Sequence, residues 1–504
     1  MTTRVRTALW LLLLAAAFGV LVTANGAGYR YGVSDQAFYI PAIDLAQAPS
    51  LFPRDRVLLV PQARLTALDE ALAWLGTTSG LPLESLFLLG YLLTATLFAA
   101  GVALIGDRLY VSRWSTAALL MALTLRHRIA RTGVNTFESC FHPRVLTFAI
   151  GLLAVGLFLR GRRRVAVTLA ALSCLVHPTT GAWFVIWMTV AAATQAWPSR
   201  AGRRLVIGAA LMAAAAGIGV IASGALSERL AVMDAPWLAA FESRDYLFPS
   251  DDWKIGTWIT HLLPSLVIIL VWQWRRRLGL TSPHEHAVVL GCLALLLAFL
   301  ASVPLVDARI ALAVQLQTSR VLWQLELLAT AYVVWTITEG PWSRISIARR
   351  GAVAATLLAV LSVARGYYIL RVEHDHRLVA VHLPASDWQR MGDWMASNTA
   401  PHAHVLADPD HVWSYGSSLR VSARRDVMLE GVKDAAIAIY SRDSALRVTE
   451  RRAAIGNFHA LTEARAAALA DTYALDYLLT EQSLRLPLVH TEGALKLYRL
   501  RPGG

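Results

Sequence analysis

Tyr29-Arg30-Tyr31-Gly32-Val33-Ser34-Asp35-Gln36-Ala37-Phe38-Tyr39-Ile40-Pro41 follows closely on the apolar run Thr7–Ala24, and its reading decides the rest of the chain. Tyr29, Tyr31, Phe38 and Tyr39 carry rings of the kind that settle at a bilayer–water interface. Asp35, a few residues beyond an apolar helix, keeps its carboxylate wet while staying within reach of a lipid headgroup. Chemistry is therefore expected at the membrane surface, on a loop anchored by the preceding span.

The 504 residues are 56% hydrophobic and 16% charged, with a mean hydropathy of +0.49. That is too apolar for a soluble enzyme of this size, and an α-helical polytopic membrane protein is expected. The net charge of +13 is almost wholly arginine, since the lysines are Lys254, Lys433 and Lys496 alone. A basic excess can serve nucleic acid, but these arginines sit in short clusters between apolar runs, where they set topology or meet lipid phosphate. No nucleic-acid partner is expected. Cys140, Cys174 and Cys292 make no disulfide framework. Val22-Thr23-Ala24 resembles a leader cleavage site, but the apolar core before it exceeds a leader's, so an uncleaved anchor is expected.

Apolar runs bounded by charges fall near 7–24, 85–105, 114–125, 145–159, 165–176, 179–197, 205–224, 256–274, 287–305, 321–338 and 351–370, which gives eleven expected spans. Pro178, in His177-Pro178-Thr179-Thr180, breaks 165–197 into two passes. With that count, Arg4/Arg6, Arg108/Arg113, Arg160–Arg164, Arg200–Arg204, Arg275–Arg277 and Arg344–Arg350 share one face, cytoplasmic by the positive-inside rule. The loops 25–84, 126–144 and 225–255 and the tail Arg371–Gly504 then lie outside. Ala63–Leu75 reads as an amphipathic helix on the membrane surface. Arg54, Arg56, Arg64, Arg126, Arg128 and Arg131 are surplus to the rule in these loops and call for an anionic ligand such as a lipid phosphate.

The tail changes character. Helical patterns near 385–397, 433–455 and 461–473 alternate with strand-like His404–Ala407, Tyr477–Thr480 and Leu495–Leu500. Two domains are expected: residues 1–370, a transmembrane domain carrying the external loop 25–84, and residues 371–504, a small extracytoplasmic α/β domain. Internal repeats, a Walker loop, a dinucleotide fingerprint and paired-Cys motifs do not occur.

Four groups of residues carry candidate chemistry. Asp35 has the reach to take a proton from an acceptor hydroxyl or to help hold a divalent metal, Mg or Mn; alternatively, Ser34 or Asp35 caps the helix that follows. In the loop Arg131–Arg144, Glu138 and His142 are four apart and would share a face of a helix, and Arg144 is placed to bind phosphate. The structural alternative makes Arg144 a headgroup anchor and His142-Pro143 a helix start. His177 stands at the tip of a re-entrant pair, either as a functional polar group or as a turn residue. The pairs His374/His376 and His402/His404 lack a recognised metal-ligand pattern with Asp408, Asp410 or His411.

The order of features resembles the GT-C superfamily of membrane glycosyltransferases: one span, a long external loop with an early acidic residue, many further spans, an external C-terminal domain. The resemblance covers nearly the whole chain as architecture. In sequence it is carried by Gly32-Val33-Ser34-Asp35-Gln36 and more weakly by Glu138–Arg144 and His177-Pro178. The chain also looks like bacterial members whose tails carry a pattern similar to Trp394–Pro401 and Tyr415–Arg425. The resemblance implies a multi-pass protein of the bacterial inner membrane, its amino terminus cytoplasmic and its C-terminal domain outside. It implies a polyprenyl-phosphate sugar donor among the membrane lipids, and a lipid, glycan or protein acceptor. Asp35 takes the place of the family's first-loop acid, acting as base or metal ligand. Many members have paired acids here, whereas Gln36 follows Asp35, and an amide is no base. Either Glu138 supplies the second carboxylate, or the enzyme is metal-independent, or it is inactive. Gln36, Arg131, His142, Arg144 and His177 are the implied substrate-binding residues. The competing reading is a transporter, flippase or non-catalytic assembly subunit for lipid-linked sugars, in which the same charges line a path.

Overall fold

The computed structural model describes residues 3–63, 66–224, 226–242 and 244–501. Each of the eleven apolar runs forms a helix: Thr3–Ala24, Leu83–Leu109, Arg113–Leu123, Pro143–Leu159, Arg163–Ser173, Pro178–Ala196, Arg200–Ala222, Ile255–Arg277, Pro283–Asp307, Leu322–Glu339 and Ile347–Tyr367. Among the described residues, six helical stretches are long and apolar enough to cross a bilayer. Arg200–Ala222 buries none of its residues, and Ile259 and Leu263 lie open on Ile255–Arg277. Apolar surface of this kind is stable only against lipid, and the protein is a multi-pass membrane protein.

Two of the eleven helices are short. Arg113–Leu123 and Arg163–Ser173 have 11 residues each, about 16 Å at 1.5 Å per residue, roughly half the hydrocarbon thickness. Thr124 ends the first by turning its hydroxyl back to the Met121 carbonyl at 2.6 Å. The second stops at a turn before His177-Pro178, where the sequence places a break. Arg275, one of the expected topology arginines, is spent otherwise: its Nε donates to Glu285 Oε1 at 2.8 Å, and its guanidinium lies 4.7 Å over the Trp335 ring.

The chain forms two compact units. The first comprises Met1–Tyr29, Gly90–Val232 and Arg244–Leu378; the second comprises Arg30–Leu89, Met233–Ser243 and Val379–Gly504. The loop that the sequence assigns to the transmembrane domain thus groups with the C-terminal segment, where its carboxylates meet their cations.

In the second unit a five-stranded sheet is built from β1 (His404–Leu406), β2 (Asp426–Val427), β3 (Tyr477–Thr480), β4 (Leu488–Glu492) and β5 (Leu495–Arg499), in the order β2-β1-β3-β5-β4. The β1–β2 and β1–β3 pairs are parallel; β3–β5 and β4–β5 are antiparallel. Asp387–Asn398 lays Trp388, Met391 and Met395 on this core, the spacing of one helical face. Ser386 caps it by accepting the Gln389 N–H at 3.2 Å. Each such apolar side chain contributes about 1.5–3 kcal/mol on burial. The helical pattern at 433–455 is two helices, Gly431–Ala438 and Arg442–Ile455. Ser441 divides them, because its hydroxyl caps the second through the Ser444 N–H.

The first long loop, in the second unit, carries the helices Gln36–Gln47, Arg56–Ala63 and Leu68–Ser79. The surface helix expected from Ala63 starts at Leu68 and runs past Leu75 to Ser79, and Arg64 and Leu65 lie outside the described residues. Gly80, at φ +70°, closes it with a left-handed turn.

Candidate active site

Three loop carboxylates in the second unit meet three cations from one short stretch of the C-terminal segment. Asp55 accepts from Arg420 at 2.8 Å, Asp44 lies 3.1 Å from Arg424, and Asp35 lies 3.3 Å from Lys433. Their side-chain exposures run 0%, 12% and 30%. That gradient separates structure from chemistry, since a sealed carboxylate meets no substrate.

Asp55 is the structural extreme. Arg420 grips it through Nε and clamps both Asp434 oxygens at 2.6 and 3.1 Å, while Arg447 reaches the other Asp55 oxygen. Burial pushes the Asp55 carboxyl up, but Arg420 and Arg447 hold it below the usual carboxylate range. The same balance takes Glu430 down to about 2: burial opposes ionisation, and Arg420, His411 and the Ser418 hydroxyl outweigh it. Asp44 goes the other way, to about 6, because burial exceeds the pull of Arg424.

Asp35 is the open one. Gly32 at φ +77° and Ser34 at φ +57° turn the chain tightly before it, and a Cβ on Gly32 would come within 2.3 Å of Leu383. Gln36, expected to bind substrate, is buried, and its side-chain Oε1 accepts the Gly32 N–H at 2.7 Å, which fixes the turn. Asp35 stands at the start of helix Gln36–Gln47 yet makes no capping hydrogen bond. Its carboxylate faces Lys433 instead.

The remaining candidates belong to the first unit. Glu138 and His142 do not share a helical face, because Pro143 starts the helix only after them. Glu138, buried, accepts from Arg144 at 3.0 Å and from Asn135 at 2.9 Å, with Arg126 at 3.7 Å. Burial raises its carboxyl, but Arg144, His142 and Arg126 together hold it below the usual range. His142 and His177 are built alike: each is followed by a proline that opens a helix, and each caps that helix through Nδ1, from the Arg144 N–H at 3.1 Å and the Thr180 N–H at 3.3 Å. Arg131 sits half-buried at φ +52° in the turn joining the paired strands Arg128–Ile129 and Val134–Asn135.

Sequence reasoning missed one feature of this unit. A cleft of about 390 Å³ opens between Ile255–Arg277 and Leu322–Glu339, with Leu263, Val267 and Val333 on its wall and His127, Arg128 and Glu326 at its polar side. His127 is hydrogen-bonded to Glu326, and that bond chiefly raises its affinity for a proton. His261, 4% exposed, also lines the cleft. The signal was present in His127 itself, which the sequence reading passed over for the arginines on either side.

The residues do not favour a divalent metal. Among the described residues no group of three or more His, Cys, Asp or Glu side chains is arranged to hold a metal ion, and the Lys433 ammonium already stands beside Asp35. His374 and His376 stack on each other at 5.3 Å, and His404 is buried in β1.

No protein-family model matches the chain, and no curated protein does. Among solved structures it is similar to the arabinofuranosyltransferase AftD from Mycobacteria, at 14% identity and a TM-score of 0.47 over 99% of this chain and 40% of that one. It is also similar to the archaeal oligosaccharyltransferase AglB from Archaeoglobus fulgidus, in complex with an inhibitory peptide and a dolichol-phosphate, at 13% identity and a TM-score of 0.41 over 93% of this chain and 69% of that one. The chain spans less than half the length of AftD.

Proposed function

We propose that the protein is a membrane glycosyltransferase that moves a sugar from a polyprenyl-phosphate donor to a lipid, glycan or protein acceptor at the extracytoplasmic face. The observation that carries this reading is Asp35: a partly exposed carboxylate whose side chain makes no helix cap, on a turn fixed by Gly32 and Gln36, beside the Lys433 ammonium. In the reaction the acceptor hydroxyl oxygen attacks the anomeric carbon, and the bond from that carbon to the phosphate oxygen breaks. The phosphate leaves with the bonding electrons, and Asp35 takes the hydroxyl proton. For Glu138 the proposal is a catalytic role as the second carboxylate, and for Arg131, His142, Arg144 and His177 a substrate-binding role, with Arg144 meeting phosphate charge. The cleft's apolar wall and charged rim suit a lipid chain with an anionic head. Glycosyl transfer is also the chemistry in the names of the two similar structures; the residues that carry it here are this chain's own.

The test is transfer from a radiolabelled polyprenyl-phosphate sugar in membranes holding equal amounts of wild type and Asp35→Asn. The wild type is expected to transfer and the variant to lose roughly 10²- to 10⁴-fold. Transfer by both at similar rates removes Asp35 from the chemistry, and transfer by neither moves the transporter reading ahead.

A further inference from the structure

We infer that the helix Leu68–Ser79 seats the first long loop on the membrane, with its outward face lying among the headgroups of net-neutral lipid. This seat is independent of the chemistry that the loop carries.

Ala71, Trp74, Leu75 and Thr78 follow one another at i, i+3, i+4 and i+7, the spacing of one helical face, and all four are exposed. Trp74 is 64% exposed, and the exposed Leu81 and Leu89 continue the apolar surface along the chain. The opposite face is packed. Leu72 and Ala73 are buried, and the Ala73 carbonyl accepts from Gln47 Nε2 at 3.3 Å, on the helix Gln36–Gln47. Gly76 keeps that approach close, since a Cβ there would lie 2.8 Å from the same nitrogen.

What covers the outward face follows from the chain. Gly80, Leu81 and Pro82 alone separate this helix from Leu83–Leu109, one of the helices long and apolar enough to cross a bilayer. Four Cα–Cα steps reach about 15 Å at most. The two helices also touch, because a Cβ on Gly76 would lie 3.6 Å from Leu86 Cδ1. The headgroup layer is roughly 5–7 Å deep on each side of the hydrocarbon, and a helix packed on the first turn of a span lies at that level, where an indole ring is favoured. The lipid chemistry follows from charge. Leu68–Ser79 carries no lysine or arginine, and its exposed charge is Glu70, so apolar contact holds it rather than attraction to anionic lipid. Its packed face in turn holds Gln36–Gln47 at a set height above the bilayer.

The experiment places a nitroxide on Thr78→Cys, in the full chain with its three cysteines replaced, in nanodiscs of phosphatidylcholine. Collisions with oxygen, which concentrates in lipid, are compared with collisions with a water-soluble nickel chelate, and Ser397→Cys, also exposed, serves as the reference. Oxygen collisions are expected to exceed nickel collisions at position 78, with the order reversed at position 397. Adding Trp74→Gln and Leu75→Gln is expected to abolish the oxygen excess. Nickel collisions at position 78 equal to those at position 397 place the face in water and overturn the inference. Low collision with both reagents marks a face covered by protein and overturns it, as does an oxygen excess that appears only when anionic lipid is added. An unchanged excess after the two glutamine substitutions overturns it too, since Trp74 and Leu75 then do not hold the seat. Should the doubly substituted chain fail to fold, the label at position 78 in the otherwise unchanged helix decides alone. None of these readings uses sugar transfer, so failure here leaves the proposed function standing.

Discussion

Arg420 Nε donates to Asp55 Oδ2 at 2.8 Å, joining residues 365 apart, and both side chains are sealed from solvent. Arg420→Met would leave Asp55, Glu430 and Asp434 as buried carboxylates short of their main cation. The expected cost is about 3–5 kcal/mol, read as a lower midpoint of unfolding in detergent. Arg420→Lys should recover little of it, since Lys cannot hold Asp55 and both oxygens of Asp434 together.

Asp69 gives the second unit a pH dependence. Its carboxyl is buried without a hydrogen-bond partner among the described residues, and burial, with Glu70 beside it, raises it to about 8. The folded state therefore keeps a proton that the unfolded chain releases near pH 4. From there up to pH 8 the unfolded state gains relative stability, and the protein should lose stability as pH rises. Asp69→Asn removes the titration. Its unfolding midpoint should fall less steeply between pH 5 and 8 than that of wild type, and parallel slopes would show that Asp69 is ionised in the fold.

Arg144→Lys keeps the charge beside Glu138 but not the planar fork. A drop of about tenfold or more in transfer is expected if Arg144 grips phosphate oxygens. Equal rates in a purified assay would assign Arg144 to the Glu138 pair alone.

His142→Ala removes the acceptor of the Arg144 N–H and should cost about 1 kcal/mol, while His142→Asn, a good cap, should stay within a few tenths. Unfolding of both variants checks this, and equal losses would place the role of His142 outside the cap.

The proposed orientation puts the second unit outside the cell. Ser397 is exposed there, whereas Ser417 is sealed. A Ser397→Cys variant, in a chain with its three cysteines replaced, should react in intact cells with a membrane-impermeant maleimide. Labelling only after the membrane is opened would reverse the assignment.

The helices were legible because a long apolar run in a charged chain has few alternatives, and each of the eleven became one. Their lengths were less legible, since Thr124 and His177-Pro178 end two of them early through local hydrogen bonding that hydropathy does not register. Strands β1, β3 and β5 showed as apolar runs. Two-residue β2 and the half-exposed β4 carry too little pattern to stand out. Asp35 was visible from its place after the first span, and the His142 and His177 caps from the prolines that follow. Lys433, Arg424 and Arg420 were not, because nothing local marks a cation whose partner is hundreds of residues away.

The Asp55–Arg420 link also orders events in time. At about 5–20 residues per second, a ribosome makes Arg420 roughly 20 to 70 s after Asp55. Through that interval the first loop has its turn and its acids but none of the cations that brace them, and most of the apolar helices are still being threaded into the bilayer. The site begun at the start of translation is thus completed near its end. A premature stop ahead of codon 420 should silence Asp35 as thoroughly as a change at codon 35, even though every residue of the loop would have been made correctly.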